Sequence, residues 1–204
     1  MSAACIIGNG ESRLQFNLHS INKVMTTFGC NALYRDFIPD NLVAMDYAIV
    51  DEILNHQIYN KTVFHTQHSN KIDKLVTTQN LPISFISQQR ETVDSGNTAV
   101  RLAAEMGHDQ VYLIGFDYIS TNRLLNNVYG NTRHYANKAG GHTNSVTLAK
   151  WQTRLRAIAK THSTTNFIRV NGNGYLPLVD QSNFTNISPQ EFLQRIEELN
   201  AAEI

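Results

Sequence analysis

Ala3-Ala4-Cys5-Ile6-Ile7-Gly8-Asn9-Gly10-Glu11-Ser12 runs from an apolar stretch straight into a glycine-rich turn that carries an amide and a hydroxyl. A short apolar run without polar alternation reads as a strand buried on both faces. A strand that stops at such a turn places bare backbone N–H groups, Asn9 and Ser12 at the carboxyl edge of a sheet. Open α/β sheets bind anionic ligands at that edge, which makes Gly8, Asn9, Gly10 and Ser12 candidates for holding a nucleotide. Tight packing explains a lone glycine turn equally well. The phosphate-loop lysine is absent, and so is the three-glycine spacing of dinucleotide binding.

Outward from this turn the chain alternates. Val24–Phe28, Asn41–Met45, Thr62–His65, Ile83–Ile86, Val111–Ile114 and Asn166–Val170 read as further strands. Helical spacing predicts helices over Tyr47–Leu54, Asn97–Met106, Asn144–Thr161 and Pro189–Leu199, with short turns or helices over Leu14–Ile21 and Asn31–Phe37. Gly107 is placed to stop the alanine-rich helix, and Ser188 with Glu191 forms a capping box. The alternation predicts an α/β fold, a mostly parallel sheet with helices on both faces. Residues 1–204 are expected to form one nucleotide-binding domain with a long lid loop over about 118–143, rich in Asn, Gly, Tyr, Arg and His.

Bulk properties narrow the function classes. Of 204 residues 42% are hydrophobic and 17% charged, and the formal net charge is zero. Bulk nucleic-acid binding driven by charge is therefore not expected. Apolar runs are too short for a membrane span, and no signal-peptide pattern opens the chain. Cys5 and Cys30 read as reduced, structural thiols, which suggests a cytoplasmic protein. His65 and His68 lie close together, but no second Cys or His cluster completes a zinc set, and no metal site is expected.

Four more junctions repeat the polar strand-end theme. Asn31 follows a strand at Gly29-Cys30-Asn31, where its amide suits a ribose or base edge, or a helix cap. Asp46 ends the third strand, placed for a ribose hydroxyl, a metal or a cap. Ser95, Gly96 and Asn97 open the alanine-rich helix, where the dipole favours an anion unless they simply cap it. Gly115-Phe116-Asp117 ends the strand Val111–Ile114 and adds a carboxylate. A parallel sheet brings all of these to one edge. In the lid, Tyr118, Arg123, Tyr129, Arg133 and Tyr135 are suited to a leaving phosphate, and His142 to a general base, with His134 its rival.

The ordered series Ile6-Ile7-Gly8-Asn9-Gly10-Glu11-Ser12, Gly29-Cys30-Asn31, Ser95-Gly96 and Val111 to Tyr118 resembles a bacterial sialyltransferase family that uses a cytidine-monophosphate-activated sugar. It is also similar to the wider 6-hydroxymethylpterin diphosphokinase-like group that shares a Rossmann-like core. The usual first motif is Gly-Asn-Gly-Pro-Ser; here Glu11 replaces the proline. The resemblance covers roughly Ala3 to Leu155, with gaps. It implies a Rossmann-like fold and sugar transfer from a nucleotide donor to an unidentified acceptor hydroxyl, without a tightly bound cofactor. Asn9, Ser12 and Asn31 would bind the nucleotide, Ser95 and Gly96 the donor near its phosphate or sugar. Tyr129 or Tyr135, with Arg133, would hold the leaving phosphate, and His142 would deprotonate the acceptor. Diphosphate transfer from a nucleoside triphosphate is the second reading, with Asp46 and Asp117 as magnesium ligands. A catalytically silent nucleotide-binding module is the third. Self-association is a further expectation.

Overall fold

The polar turns singled out above all follow strands of one sheet. The computed structural model describes residues 2–79, 81–86, 94–118, 120–121, 124–125, 127–135, 145–171 and 180–202. In chain order they form β1 (Ala3–Ile7), α1 (Leu18–Asn22), β2 (Thr26–Cys30), β3 (Asn41–Val43), α2 (Tyr47–Asn55), β4 (Val63–Gln67), α3 (Asn70–Gln79), β5 (Ser84–Ile86), α4 (Ser95–Glu105) and β6 (Gln110–Ile114). There follow β7 (Ser120–Thr121), β8 (Leu124–Leu125), α5 (Ser145–Thr161), β9 (Asn166–Val170), β10 (Phe184–Ile187) and α6 (Pro189–Ala202). Eight strands make one sheet in the order β10-β9-β6-β1-β2-β3-β4-β5, and β7 pairs with β8 as a separate antiparallel hairpin. Every pairing in the large sheet is parallel. The fold is α/β, as the alternation predicts.

Side chains of the central strands divide by period two. Ala4, Ile6, Val111, Leu113 and Phe167 pack with Ala99, Ala103, Leu155 and Ile158 of α4 and α5. Cys5, Ile7, Tyr112, Ile114 and Ile168 pack on the opposite face with Ile21, Phe192 and Ile196 of α1 and α6. Burial on both faces is why these strands read as unbroken apolar runs.

Several boundaries move for local reasons. β2 starts at Thr26 because the N–H groups of Val24 and Met25 bond back to Ile21, completing a turn after α1. It runs on through Gly29, which pairs with Ile7 instead of ending the strand. α4 starts at Ser95 because the Asp94 carboxylate accepts the Asn97 N–H at 2.9 Å and so caps the helix. Ser188 and Glu191 form the expected capping box, with the Glu191 carboxylate on the Ser188 N–H at 2.7 Å and the Ser188 hydroxyl on the Glu191 N–H at 3.2 Å. Two elements lacked a sequence reading. α3 buries Ile72 and Val76, and the edge strand β10 buries only Phe184 and Ile187. Ile72, Leu75 and Val76 stand at helical spacing in α3, a signal the sequence did carry, whereas the two apolar residues of β10 give too little period to read.

Both cysteines are free and buried, and burial pushes the Cys30 thiol up to about 12 and Cys5 higher still. Among the described residues, no group of three or more His, Cys, Asp or Glu gathers to hold a metal, and no helix is long and apolar enough to cross a membrane. His65 is buried with its Nε2 at 2.9 Å from Asn41 Oδ1, whereas His68 stacks on Phe85 with Asp73 at its Nδ1.

At β1 and β6 the chain leaves in opposite directions, towards β2 on one side and β9 on the other, which opens a crevice between their carboxyl ends. Their turns meet backbone to backbone. Gly8 N–H donates to Ile114 O at 2.8 Å and Gly10 N–H to Gly115 O at 2.9 Å. A Cβ on Gly8 would sit 2.6 Å from Gly115 O, and one on Gly10 would sit 2.5 Å from both Gly115 O and Asp117 Oδ2. Close packing is thus sufficient reason for glycine at 8 and 10.

Gly115 combines φ of +69° with a Cβ position 2.7 Å from Gly8 O. Gly115→Ala should therefore cost about 2–5 kcal/mol in urea unfolding, from strained φ plus overpacking. Gly107→Ala (φ +85°, no atom within 4 Å) should cost only about 1 kcal/mol. Equal losses at the two positions would contradict the close approach. Burial lowers the His65 pKa to about 4. Its folded state prefers the neutral ring, so this stability is complete above the ordinary histidine pKa and is lost as pH falls towards 4. The slope should reach about 1.4 kcal/mol per pH unit at most. His108 is shifted down by burial too, so His65→Gln should reduce the slope without removing it.

Candidate functional site

The crevice between the β1 and β6 turns is a cleft of about 150 Å³. Backbone of Gly8, Gly10 and Gly115 forms part of its lining, Asn9 and Asn31 present amides, and Ser95 and Gly96 bring the first turn of α4. Phe116, Tyr118, Tyr135 and Trp151 supply rings. Seven of the ten residues expected to hold a nucleotide are therefore brought together: Gly8, Asn9, Gly10, Asn31, Ser95, Gly96 and Asp117.

The amides are set by specific bonds. Ser95 Oγ accepts from the Met45 N–H at 3.2 Å and donates to Asn31 Oδ1 at 2.7 Å. Asn31 sits at φ +53°, a left-handed position that asparagine tolerates better than most residues. Asn9 is the complement. Its Nδ2 donates to Cys30 O at 3.4 Å, while its Oδ1 is buried without a hydrogen-bond partner among the described residues. An unpartnered buried acceptor costs about 1–3 kcal/mol, which a bound donor recovers. Both asparagines line the one cleft, Asn9 with a buried acceptor unpartnered among the described residues and Asn31 with its oxygen already engaged by Ser95.

Beneath the cleft the β6 turn is tied from both sides. Asp117, only 5% exposed, accepts the Ser12 N–H at 3.0 Å and the Ser12 hydroxyl. Arg169, only 1% exposed, donates from Nε to Phe116 O at 2.9 Å and from Nη2 to Asp117 O at 3.1 Å. Tyr118 follows at φ +51°, its ring 6.1 Å from Phe116 and under the Arg169 guanidinium at 5.9 Å. Burial raises the Tyr118 phenol pKa, the Asp94 charge adds to the rise and Arg169 opposes it, so the hydroxyl stays protonated. At the mouth of α4, Asp94 receives Arg154 Nη1 at 3.1 Å. None of the described lining side chains is Lys, Arg or His.

Other candidates stand elsewhere. Ser12 lies under the cleft, bonded to Asp117, and Asn97 is buried against Asp94 and the Trp151 carbonyl. Asp46 is exposed at the N-terminal end of α2, three residues after the end of β3, and does not line the cleft. Tyr129 is not among the residues that line the cleft. Its hydroxyl donates to Asp36 at 2.8 Å and accepts Arg13 Nη2 at 2.8 Å, away from the lining. Arg133 is 72% exposed with its Nε 4.0 Å from Glu52 Oε2, also off the cleft. Tyr135 alone of the three forms part of the wall; its hydroxyl, beside Ala32, lacks a partner of good geometry. His134 Nε2 faces Glu52 Oε2 at 3.2 Å, outside the lining. Arg123 and His142 lie outside the described residues.

The residues do not fit the magnesium reading. Asp117 has both oxygens bonded to Ser12, and Asp46 is not among the cleft residues. The stretch Asp94-Ser95-Gly96-Asn97-Thr98 includes Asp94 without giving it a role, and Asn127, Trp151 and Arg169 were not assigned to the site from sequence. Asp94 carried a signal, since it stands three residues before Asn97 at a helix start. Arg169 carried another, as a cation inside the apolar strand Asn166–Val170.

No protein-family model matches the chain, and no curated protein matches it. Nothing in these comparisons supports the likeness to 6-hydroxymethylpterin diphosphokinases. Among solved structures, the chain is similar to a mutant of the α-2,3/8-sialyltransferase CstII, at 14% identity and a TM-score of 0.51, over 82% of this chain and 81% of that one. At that identity the likeness is one of fold, and the fold is the Rossmann-like, sheet-and-helix architecture of that glycosyltransferase.

Proposed function

We propose that the chain is a nucleotide-sugar-dependent glycosyltransferase of sialyltransferase-like type, which moves a sugar from a cytidine-monophosphate donor to an acceptor hydroxyl. The observation that carries this reading is a ring-walled cleft at the switch point of the sheet, lined by Asn9, whose buried Oδ1 has no partner among the described residues, and by Asn31, whose Oδ1 is held by Ser95. Such a site suits a nucleoside: the rings offer a stacking surface and the amides an acceptor and a donor for base or ribose edges. The fold shared with a sialyltransferase supports the same reading.

In the proposed reaction the acceptor oxygen attacks the anomeric carbon, and its proton passes to His142. The bond from that carbon to the donor phosphate breaks, and nucleoside monophosphate leaves with the bonding electrons. Tyr135, which with Tyr118 is a lid tyrosine in the cleft lining, would meet the developing charge by hydrogen bonding. Ser95 and Gly96 approach the donor from the first turn of α4. A positioned general base contributes about 10²–10⁴-fold.

Thermal-shift and calorimetric titration with cytidine, uridine, guanosine and adenosine monophosphates test the binding half. Cytidine monophosphate should stabilise the protein most, and Asn31→Ala should weaken it about tenfold, the equivalent of roughly one lost hydrogen bond. Stabilisation by none of the four refutes the proposal. For the chemical half, His142→Ala should slow donor hydrolysis by about 10²-fold or more with nucleotide affinity unchanged. Equal rates in the variant and the parent protein would remove His142 from the mechanism, and binding without any turnover would leave a nucleotide-binding module.

A further inference from the structure

Tyr135 reaches the cleft from a segment, residues 127–135, that comprises turns only, so something outside the segment must hold it. The Val128 N–H on Asn9 O and the Tyr129 hydroxyl between Arg13 and Asp36 hold its first half, and the contacts nearest Tyr135 converge on two further residues. Arg35 donates from Nη1 to Thr132 Oγ1 at 2.9 Å and from Nη2 to Arg133 O at 3.1 Å. Its guanidinium also lies 5.9 Å from the ring centres of both Tyr129 and Tyr135. Glu52 of α2, 7% exposed, divides its carboxylate between the two sides. Oε1 accepts Arg35 Nε at 2.9 Å, Arg35 Nη2 at 2.6 Å and the Tyr34 hydroxyl, whereas Oε2 faces His134 Nε2 at 3.2 Å. Neither Arg35 nor Glu52 lines the cleft.

We infer that Arg35 and Glu52 are positioning residues for this site, a partly buried ion pair that sets affinity for the nucleotide by holding Tyr135 in the cleft wall. The inference rests on the proposed nucleotide reading for its ligand, but not for its geometry. Arg35 suits the role because a planar fork reaches Glu52, Thr132 and a carbonyl at once, which a lysine ammonium on a flexible stem does not. Affinity then scales with the fraction of molecules in which the segment is docked.

Trp151, the one tryptophan of the chain, shares the cleft wall with Tyr135 and reports on it without any ligand. Acrylamide quenching of Trp151 should rise about twofold in Arg35→Lys and in Thr132→Val, and the apparent dissociation constant for cytidine monophosphate about three- to tenfold. Thr132→Ser, which keeps the hydroxyl, should behave as the parent protein. Thr132 is exposed, so its valine variant removes an acceptor for Arg35 without stranding a buried charge, and its urea midpoint should be unchanged. That guards against Glu52→Gln or Arg35→Lys failing only through misfolding. Unchanged quenching and affinity in both Arg35→Lys and Thr132→Val overturn the inference. A parent protein that binds no nucleotide refutes the proposed function instead, and the quenching series then decides the positioning role alone.

Discussion

Where β1 and β6 end, two turns of main chain approach so closely that no side chain fits between them, and the site takes its shape from that approach. Gly10 N–H reaches Gly115 O, the next two carbonyls in the chain are held by Arg169, and the next carboxylate is held by Ser12. Backbone groups thereby form the base of the cleft, fixed by a deeply buried guanidinium. Everything that distinguishes one ligand from another must then come from the walls.

Around those walls the charges are paired. Asp94 meets Arg154, Arg13 meets Asp36, and Arg35 meets Glu52. What faces inward among the described side chains is chiefly amide, hydroxyl and aromatic. This division suits recognition of an uncharged nucleoside by shape and hydrogen bonds, and leaves little described cationic charge for a phosphate. Strained backbone gathers in the same region. Asn31 and Tyr118, both at positive φ, line the cleft, and Asn131 and His134 lie in the segment that carries Tyr135. Such conformations persist only where surrounding contacts over-determine them.

The sheet was legible because its central strands are buried on both faces, so Ala3–Ile7 and Val111–Ile114 stand out as apolar runs ended by glycine turns. The strand-end amides were legible for the same reason: parallel topology sends every such turn to one edge. Asp46 shows the limit of that logic, since sharing an edge does not mean sharing a cleft, and β1 and β2 lie between β3 and β6. Tyr129 shows another. A tyrosine in a loop looked free to bind a ligand, yet its partners Arg13 and Asp36 are about a hundred positions away and no local pattern announces them. The same distance hid Arg35 and Glu52.

The place of β1 in the sheet also dictates an order of assembly. Ser2 and Asp109, which bond at the start of the β1–β6 pairing, are 107 positions apart. At roughly 5–20 residues per second of synthesis, β1 waits on the order of 5–20 s for its second neighbour. During that time β2 can cover one edge while the other presents unpaired N–H and C=O groups beside apolar side chains, the condition that favours wrong partners. β9, which brings Arg169, comes later still. A nascent chain therefore holds Asn9 and Asn31 long before it has the floor beneath them, and the site closes only when most of the protein has been made.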